Sequence, residues 1–156
     1  MPLTLRDATV EDQPTIRQIV RAANINPTGL EWPRFIVAED GGAIVGVGQV
    51  KPHRDGTREL ASIAVIPARQ GQGLGSAIIN ELLRREWGIV HLTCRSQLQG
   101  YYERFGFKRL EPRDYPPYFA RRLPMINAFL RPFGIRIIVM RRDPQGDGVG
   151  GGVGNP

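Results

Sequence analysis

The sequence predicts an α+β fold in α/β/α-type layers, built on a mixed, mostly antiparallel sheet of about six or seven strands with about four or five helices. A hairpin pattern near the start of the chain predicts the antiparallel part. Strand-like and helix-like segments then alternate through the middle of the chain, which is typical of a sheet covered by helices. The length of 156 residues, with 41% hydrophobic and 23% charged residues, is that of one ordinary globular domain.

Four strands and one helix are predicted in the first half. The helix begins at Thr9 or Asp12 and ends near Ala23, because its apolar residues recur at helical spacing. Gly41 and Gly42 form a tight turn between two strands, which makes the hairpin. The predicted strands cover residues 3–6, 35–39, 43–50 and 57–66.

The second half alternates the two element types. Three helices are predicted, over residues 74–87, 97–104 and 118–130, and three strands, over residues 89–94, 107–110 and 135–140. We therefore expect one domain over residues 1–142, with an insertion at 111–134 before the last strand. The Gly-rich residues 143–156 predict a disordered tail.

Arginine dominates the basic residues of the chain. There are 21 Lys and Arg against 15 Asp and Glu, a formal net charge of +6, and only Lys51 and Lys108 are lysines. A basic chain favours an anionic ligand, and the planar guanidinium matches phosphates and carboxylates. A genome-wide preference for arginine codons explains the composition equally well. The single Cys94 argues against a disulfide framework and favours a reducing, cytoplasmic location.

A glycine-rich segment lies between the fourth predicted strand and the next helix. Residues 69–76 read Arg-Gln-Gly-Gln-Gly-Leu-Gly-Ser. Glycine lets backbone N–H groups approach a ligand, and a helix N-terminus favours negative charge, so the segment predicts a pyrophosphate-binding loop. It lacks the Gly-Lys-Ser/Thr ending of a Walker loop, and its glycine spacing differs from the dinucleotide-binding pattern. A tight connection that binds no ligand is the alternative.

Three motifs in order resemble the GNAT superfamily of acetyl-CoA-dependent N-acyltransferases. Gln70-x-x-Gly73-x-Gly75 resembles its Arg/Gln-x-x-Gly-x-Gly/Ala signature. Residues 60–67 resemble its fourth strand, and residues 101–107, Tyr-Tyr-Glu-Arg-Phe-Gly-Phe, resemble the segment that closes its acyl site. The resemblance implies the GNAT fold, with the sheet splayed between strands four and five.

The resemblance implies acetyl-CoA as a co-substrate. In the family, backbone groups of the fourth strand bind the pantetheine arm, and loop amides bind the pyrophosphate. The implied cofactor-binding residues are Ile63, Ala64 and Val65 in the strand and Gln70, Gly71, Gln72, Gly73, Leu74, Gly75 and Ser76 in the loop. His53 and His91 lack partners at metal-ligand spacing, which predicts no metal site. We expect Cys94 to be a buried core residue rather than an acyl-carrying nucleophile.

Two residues are implied as catalytic. Tyr102 matches the general-acid tyrosine of the family, and the neighbouring Tyr101 is the alternative residue to face the thioester. Glu59, on the fourth strand, matches the general-base glutamate of several members. The alternative for Glu59 is a solvated strand end paired with Arg58 or Lys51. The insertion at 111–134 is longer than the corresponding link in the family, where that link helps to form the acceptor site.

The leading hypothesis is an N-acetyltransferase that moves the acetyl group of acetyl-CoA to a primary amine of a small molecule or protein, by direct attack in a ternary complex. One alternative is a catalytically silent CoA-binding regulatory module. An Arg-rich protein that binds nucleic acid or a membrane is less favoured, because we expect the basic residues to be spread along the whole chain. We therefore expect an amine substrate, no nucleic acid and no membrane as partners, with a homodimer among the expected assemblies.

Overall fold

Residues 3–144 are described by the computed structural model, and they form one seven-stranded sheet with helices on its faces. The strands are β1 (Leu3–Asp7), β2 (Phe35–Asp40), β3 (Ala43–Pro52), β4 (Arg58–Val65), β5 (Val90–Arg95), β6 (Lys108–Arg109) and β7 (Ile137–Arg142). The helices are α1 (Gln13–Ala22), α2 (Leu74–Arg84), α3 (Gln99–Glu103) and α4 (Pro117–Leu130). The strand order is β1-β2-β3-β4-β5-β7-β6, and all neighbours are antiparallel except β4 and β5. The predicted mixed, mostly antiparallel sheet is confirmed.

The sheet opens between β4 and β5. These strands are parallel, and a single pair, Glu59 with His91, joins them in register. On the edge away from the opening, β5 pairs with β7 along its whole length. On the corresponding edge of β4, the strand pairs with β3. The rest of β4 therefore presents an unpaired edge to the opening, which confirms the predicted splaying between strands four and five.

A β-bulge in β4 lies beside this opening. The pairing of β3 with β4 shifts at Gly48, where Ser62 and Ile63 share one partner. Ser62 has a φ of 58°, in the left-handed region that costs energy for a residue with a side chain. The amide of the buried Gln49 donates to Ser62 Oγ at 2.8 Å and so stabilises the bulge.

Apolar side chains fill both faces of the sheet. α2 packs its buried face, which includes Ile78, on one side, and α1 packs Ile16 and Val20 on the other. Close contact between α2 and β3 depends on the glycines of β3. A Cβ added at Gly48 would lie 2.6 Å from Ile78 Cγ2, and one at Gly46 would lie 2.9 Å from its Cδ1. These two positions let the helix that follows the loop lie directly on the strand.

The insertion folds as α4 and packs on the last strand. Its buried residues Phe119 and Leu123 cluster with Val139 of β7. The helix begins at Pro117, whose missing N–H costs nothing at a first helical position. The carboxylate of Asp55, in the turn before β4, accepts a hydrogen bond of 2.9 Å from the Tyr118 amide. The insertion is thereby attached to the turn before β4 as well as to β7.

Some element boundaries differ from those that the sequence predicts. α2 ends at Arg84 rather than at residue 87, because backbone bonds of the i→i−3 type tighten the chain after that residue. Ile135 does not join β7, because its amide bonds to the Leu130 carbonyl and closes the turn after α4. Most of the predicted tail, residues 145–156, lies outside the described residues.

Candidate functional site

The glycine-rich loop turns sharply into α2. Gly71 and Gly73 have φ values of 75° and 82°, in the left-handed region that glycine adopts without strain. Gly73 is the N-cap of α2, and the Ala77 amide donates to its carbonyl at 3.0 Å. Gln70 Nε2 donates to the Val65 carbonyl at 3.0 Å, which ties the loop to the end of β4.

The backbone amides of residues 71–76 have no hydrogen-bond partner among the described residues. Gly73 to Ser76 form the N-cap and first turn of α2, where unpaired amides favour an anion. A cavity of about 260 Å³ adjoins the loop and is also lined by Tyr101. The side chains of the loop are held elsewhere: Leu74 is buried in the core, and Gln72 accepts a hydrogen bond of 2.9 Å from Arg69. The unpaired backbone amides therefore form a cradle that fits a diphosphate.

The unpaired edge of β4 begins beside this cradle. The Ile66 amide donates to the Val45 carbonyl at 2.9 Å. Because groups alternate along an antiparallel ladder, the amide and carbonyl of Val65 point to the opening and those of Ala64 point to β3. Ile63 is part of the bulge, and its side chain lines the opening. The Val65 amide and the Ile63 side chain are thus accessible to a ligand in the opening, whereas Ala64 is buried behind them.

A second cavity, of about 310 Å³, occupies the opening between β4 and β5. Its walls come from β3, β4, β5, α3 and the loop after α1. Both candidate catalytic side chains and a buried cation are among its lining residues, which include Asn26, Lys51, Glu59, Ser62, Ile63, Cys94, Arg95 and Tyr102. The fold therefore brings Glu59 and Tyr102 to one cavity.

Tyr102, and not Tyr101, lines this cavity. Tyr101 lies beside the loop, where its Oη is 3.4 Å from Ser76 Oγ. Burial raises the pKa of Tyr102 to about 12. The phenol therefore keeps its proton at neutral pH, as a proton donor must.

Glu59 is held by His53, a contact that sequence analysis did not predict. Glu59 Oε1 lies 2.8 Å from His53 Nε2, and the two side chains are only 12% and 10% exposed. Arg58 pairs with Glu86 instead, at 2.5 Å, so the alternative of a solvated strand end paired with Arg58 is wrong. The signal for the missed contact is the turn between the two residues, which folds His53 back beside the start of β4.

Lys51 brings a buried positive charge to the same cavity. The residue is 7% exposed, and its Nζ donates to the Thr28 carbonyl at 2.9 Å. It stands opposite Glu59 in the β3–β4 ladder, yet it forms no ion pair with any carboxylate of residues 3–144. Burial lowers the pKa of Lys51, and the charge of Glu59 offsets only part of this effect.

The insertion reaches the site through stacked side chains. The rings of His53 and Tyr118 are stacked with centroids 3.5 Å apart. The guanidinium carbon of Arg122 lies 3.8 Å from the centre of the Tyr118 ring, within cation–π distance. The first turn of α4 therefore braces the imidazole that holds Glu59.

The excess positive charge of the chain lies in the insertion and the last strand. Residues 115–142 contain six arginines and no Asp or Glu, which matches the formal net charge of +6 for the whole chain. Basic residues occur along the whole chain, as expected, but outside this segment Asp and Glu balance their charge. On the same segment, Met125, Phe129 and Phe133 are 76%, 74% and 69% exposed.

Among the residues that the structure describes, none of the helices has the length and the apolar character that a membrane-spanning segment needs.

Cys94 is packed in the core, as predicted. Burial raises the pKa of its thiol to about 11, and its Sγ lies 3.9 Å from Met140 Sδ. A thiol with so high a pKa is a poor nucleophile at neutral pH. Within residues 3–144, no three His, Cys, Asp or Glu side chains form a group that could hold a metal ion.

A family model described as "Acetyltransferase (GNAT) domain" matches residues 31–109. This chain belongs to the GNAT family. The match runs from just before β2 to the end of β6 and includes the loop, the bulge and Tyr102. The resemblance of the three sequence motifs is thereby confirmed. The matched residues end before α4 and β7. These two elements complete the sheet and brace the site of this GNAT chain.

Relatives of this GNAT chain include one curated protein and many solved structures. The mycothiol acetyltransferase of Rhodococcus jostii (strain RHA1) is 35% identical over 81 residues, which are 51% of this chain and 26% of that protein. The chain thus spans about a quarter of the length of this curated relative.

Two solved structures show the same fold. N-acetylglutamate synthase from Neisseria gonorrhoeae, complexed with coenzyme A and N-acetyl-glutamate, aligns with a TM-score of 0.69 and 16% identity over 93% of this chain and 36% of that chain. Rv2747 from Mycobacterium tuberculosis, in complex with CoA, aligns with a TM-score of 0.68 and 24% identity over 91% of this chain and 99% of that chain.

Proposed function

We propose that this GNAT chain transfers the acetyl group of acetyl-CoA to a primary amine of a small molecule or protein, by direct attack in a ternary complex. The observation that carries the proposal is the meeting of three features at one opening of the sheet. These are the unpaired loop amides, the free edge of β4, and the cavity that Glu59 and Tyr102 line together. The inert thiol of Cys94 disfavours an acyl-enzyme.

The loop and the strand fit two parts of CoA. The six unpaired amides at residues 71–76 suit its diphosphate. The amide of Val65 suits an extended arm that contains amides, because such an arm pairs with a free strand edge as an added strand does, while the Val65 carbonyl accepts from Gln70. Acetyl-CoA bound there supplies the activated acetyl group, and the remaining steps belong to side chains of the cavity.

Glu59 is placed to accept the proton of the attacking amine. An alkyl amine has an ordinary pKa of about 10.4 and attacks only in its neutral form. Glu59 Oε1 is anchored on His53 at 2.8 Å, which leaves Oε2 for the amine or for a bridging water. A positioned general base of this kind contributes about 10²–10⁴-fold to the rate.

Tyr102 is placed to supply a proton to the departing thiolate. Its phenol lines the same cavity as Glu59 and is fully protonated at neutral pH, because burial raises its pKa to about 12. A proton donor beside the leaving group lowers the barrier of the step in which the carbon–sulfur bond breaks.

The test is a steady-state assay of the thiol released from acetyl-CoA in the presence of a panel of primary amines. We expect Glu59→Gln and Tyr102→Phe each to lower kcat/KM by about 10²-fold or more, since each removes one proton-transfer group. Tyr115→Phe is the matched control, because Tyr115 packs on the α4 cluster outside the cavity. This control is expected to keep wild-type activity.

Two results count against the proposal. If both variants match the wild type with every accepted amine, the assigned roles are wrong. If the folded wild-type chain binds CoA but acetylates no amine of the panel, a catalytically silent CoA-binding module describes it better.

A further inference from the structure

We propose that the amine acceptor carries a carboxylate close to its amine, as an amino acid does, and that Lys51 binds this carboxylate. The inference rests on the proposed function, because it assigns the acceptor of the same site. It starts from a feature that acetyl transfer does not require, a lysine ammonium placed in the wall of the cavity.

The ammonium of Lys51 is buried without a matching negative charge. It has three hydrogen-bond donors, and the Thr28 carbonyl at 2.9 Å is the partner that the described residues provide. A buried charge is costly unless it is paired and hydrogen-bonded. An anionic group in the cavity would complete the pairing that residues 3–144 leave incomplete.

Glu59 does not provide that pairing, although it is close in the sheet. The two residues are directly opposite in the antiparallel ladder, which puts them on one face with Cβ atoms about 5 Å apart. The Glu59 carboxylate is bonded to His53 at 2.8 Å, and it lies outside ion-pair distance of Lys51. The cavity therefore presents one negative and one positive group side by side, which suits a small zwitterion.

The other cations near the cavity are either bonded to other groups of the protein or exposed to solvent. The guanidinium of Arg34 bonds to Gln49, to the Gly29 carbonyl and to Glu31. Arg95 lines the cavity from its exposed rim, where solvent screens its charge. Lys51 is thus the buried cation best placed to select an anionic group.

The size of the cavity agrees with this assignment. A cavity of about 310 Å³ is at the lower end of ligand pockets, which suits an acceptor of amino-acid size.

The experiment compares matched pairs of acceptors, each pair consisting of an amino acid and its carboxamide, which differ in the negative charge alone. The readout is the ratio of the two kcat/KM values. We expect the wild type to prefer the acid by about tenfold to a hundredfold, the size of one charge-assisted hydrogen bond. Lys51→Met should bring this ratio close to one, and Lys51→Arg, which keeps the charge, should restore part of it.

Two controls separate charge recognition from damage to the fold. Lys108→Met removes the only other lysine, an exposed residue of β6, and should leave the acid-to-amide ratio unchanged. Arg95→Gln tests the exposed rim of the cavity. Thermal unfolding of each variant checks that it is folded.

The outcomes distinguish this inference from the proposed function. A wild type that acetylates acids and amides equally well, or a Lys51→Met variant that keeps the preference for acids, overturns the inference and leaves acetyl transfer intact. So does an Arg95→Gln variant that alone abolishes the preference. If no amine is acetylated, acetyl transfer fails. Calorimetric binding of N-acetyl amino acids against their amides, with and without Lys51→Met, then decides whether Lys51 recognises the carboxylate.

Discussion

Replacing Gly48 with alanine is expected to separate α2 from the sheet. The new Cβ would lie 2.6 Å from Ile78 Cγ2 and 2.7 Å from Ile63 Cδ1, and 3.1 Å from Leu82 Cδ1. These contacts are too short for a methyl group, and the neighbours sit in a packed core with little room to retreat. Overpacking of this kind costs about 1–3 kcal/mol. For a chain of this size, that cost lowers Tm by about 2–12 °C.

The same substitution should also weaken CoA binding. α2 carries the unpaired loop amides at its N-terminus, so a displaced helix misaligns them with Val65 on β4. Differential scanning calorimetry gives the change in Tm, and isothermal titration gives the affinity for CoA.

Gly88→Ala is the control for this prediction, because no atom lies within 4 Å of a Cβ at Gly88 and its φ is negative or extended. It should change the free energy of unfolding by less than about 0.5 kcal/mol. A Gly48→Ala protein as stable as Gly88→Ala would refute the claim that the close approach of α2 to β3 depends on glycine.

Three further predictions concern the packing of α4, one ion pair and Cys94. Phe119→Ala, at a residue 2% exposed, should lower the free energy of unfolding by about 3–5 kcal/mol in urea, whereas Phe129→Ala, at a residue 74% exposed, should leave it nearly unchanged; equal losses would contradict the packing of α4. The hydrogen bond from Arg6 holds the pKa of Asp12 below 3.8, so the pair stabilises the fold above that pH and loses its effect as the pH falls through the lower, folded-state pKa. Asp12→Asn should therefore cost about 1–3 kcal/mol at pH 7, and urea titrations should show this cost shrinking below pH 3.8; a cost independent of pH would argue against the pair. Cys94→Ala should retain acetyl transfer, and a wild-type chain isolated with an acetylated Cys94 would contradict direct attack.

The parts of the site that follow from local sequence were predictable. The glycines of the loop and the apolar helix behind it indicate a cradle of amides before any contact is known, because φ and helix polarity are local properties. Tyr102 follows from its place in a short motif. Tyr101 and Tyr102 are adjacent, however, and only the packing of α3 shows that the second of them lines the opening.

The parts that depend on register were not predictable from single segments. Lys51 reaches the cavity because β3 and β4 pair at one register, which places it opposite Glu59. His53 contacts Glu59 because the turn before β4 folds the imidazole back onto that strand. The bulge at Ser62 needs the buried Gln49 from the neighbouring strand. The boundary of the domain, a homodimer and a cytoplasmic location stay predictions.

The most direct test of the central claim is calorimetric titration of the folded chain with CoA and, separately, with pantetheine, which lacks the diphosphate. If the unpaired amides of residues 71–76 hold that diphosphate, CoA binds saturably at one site per chain and far more tightly than pantetheine. Equal affinities for the two ligands, or no heat with CoA, would contradict the account.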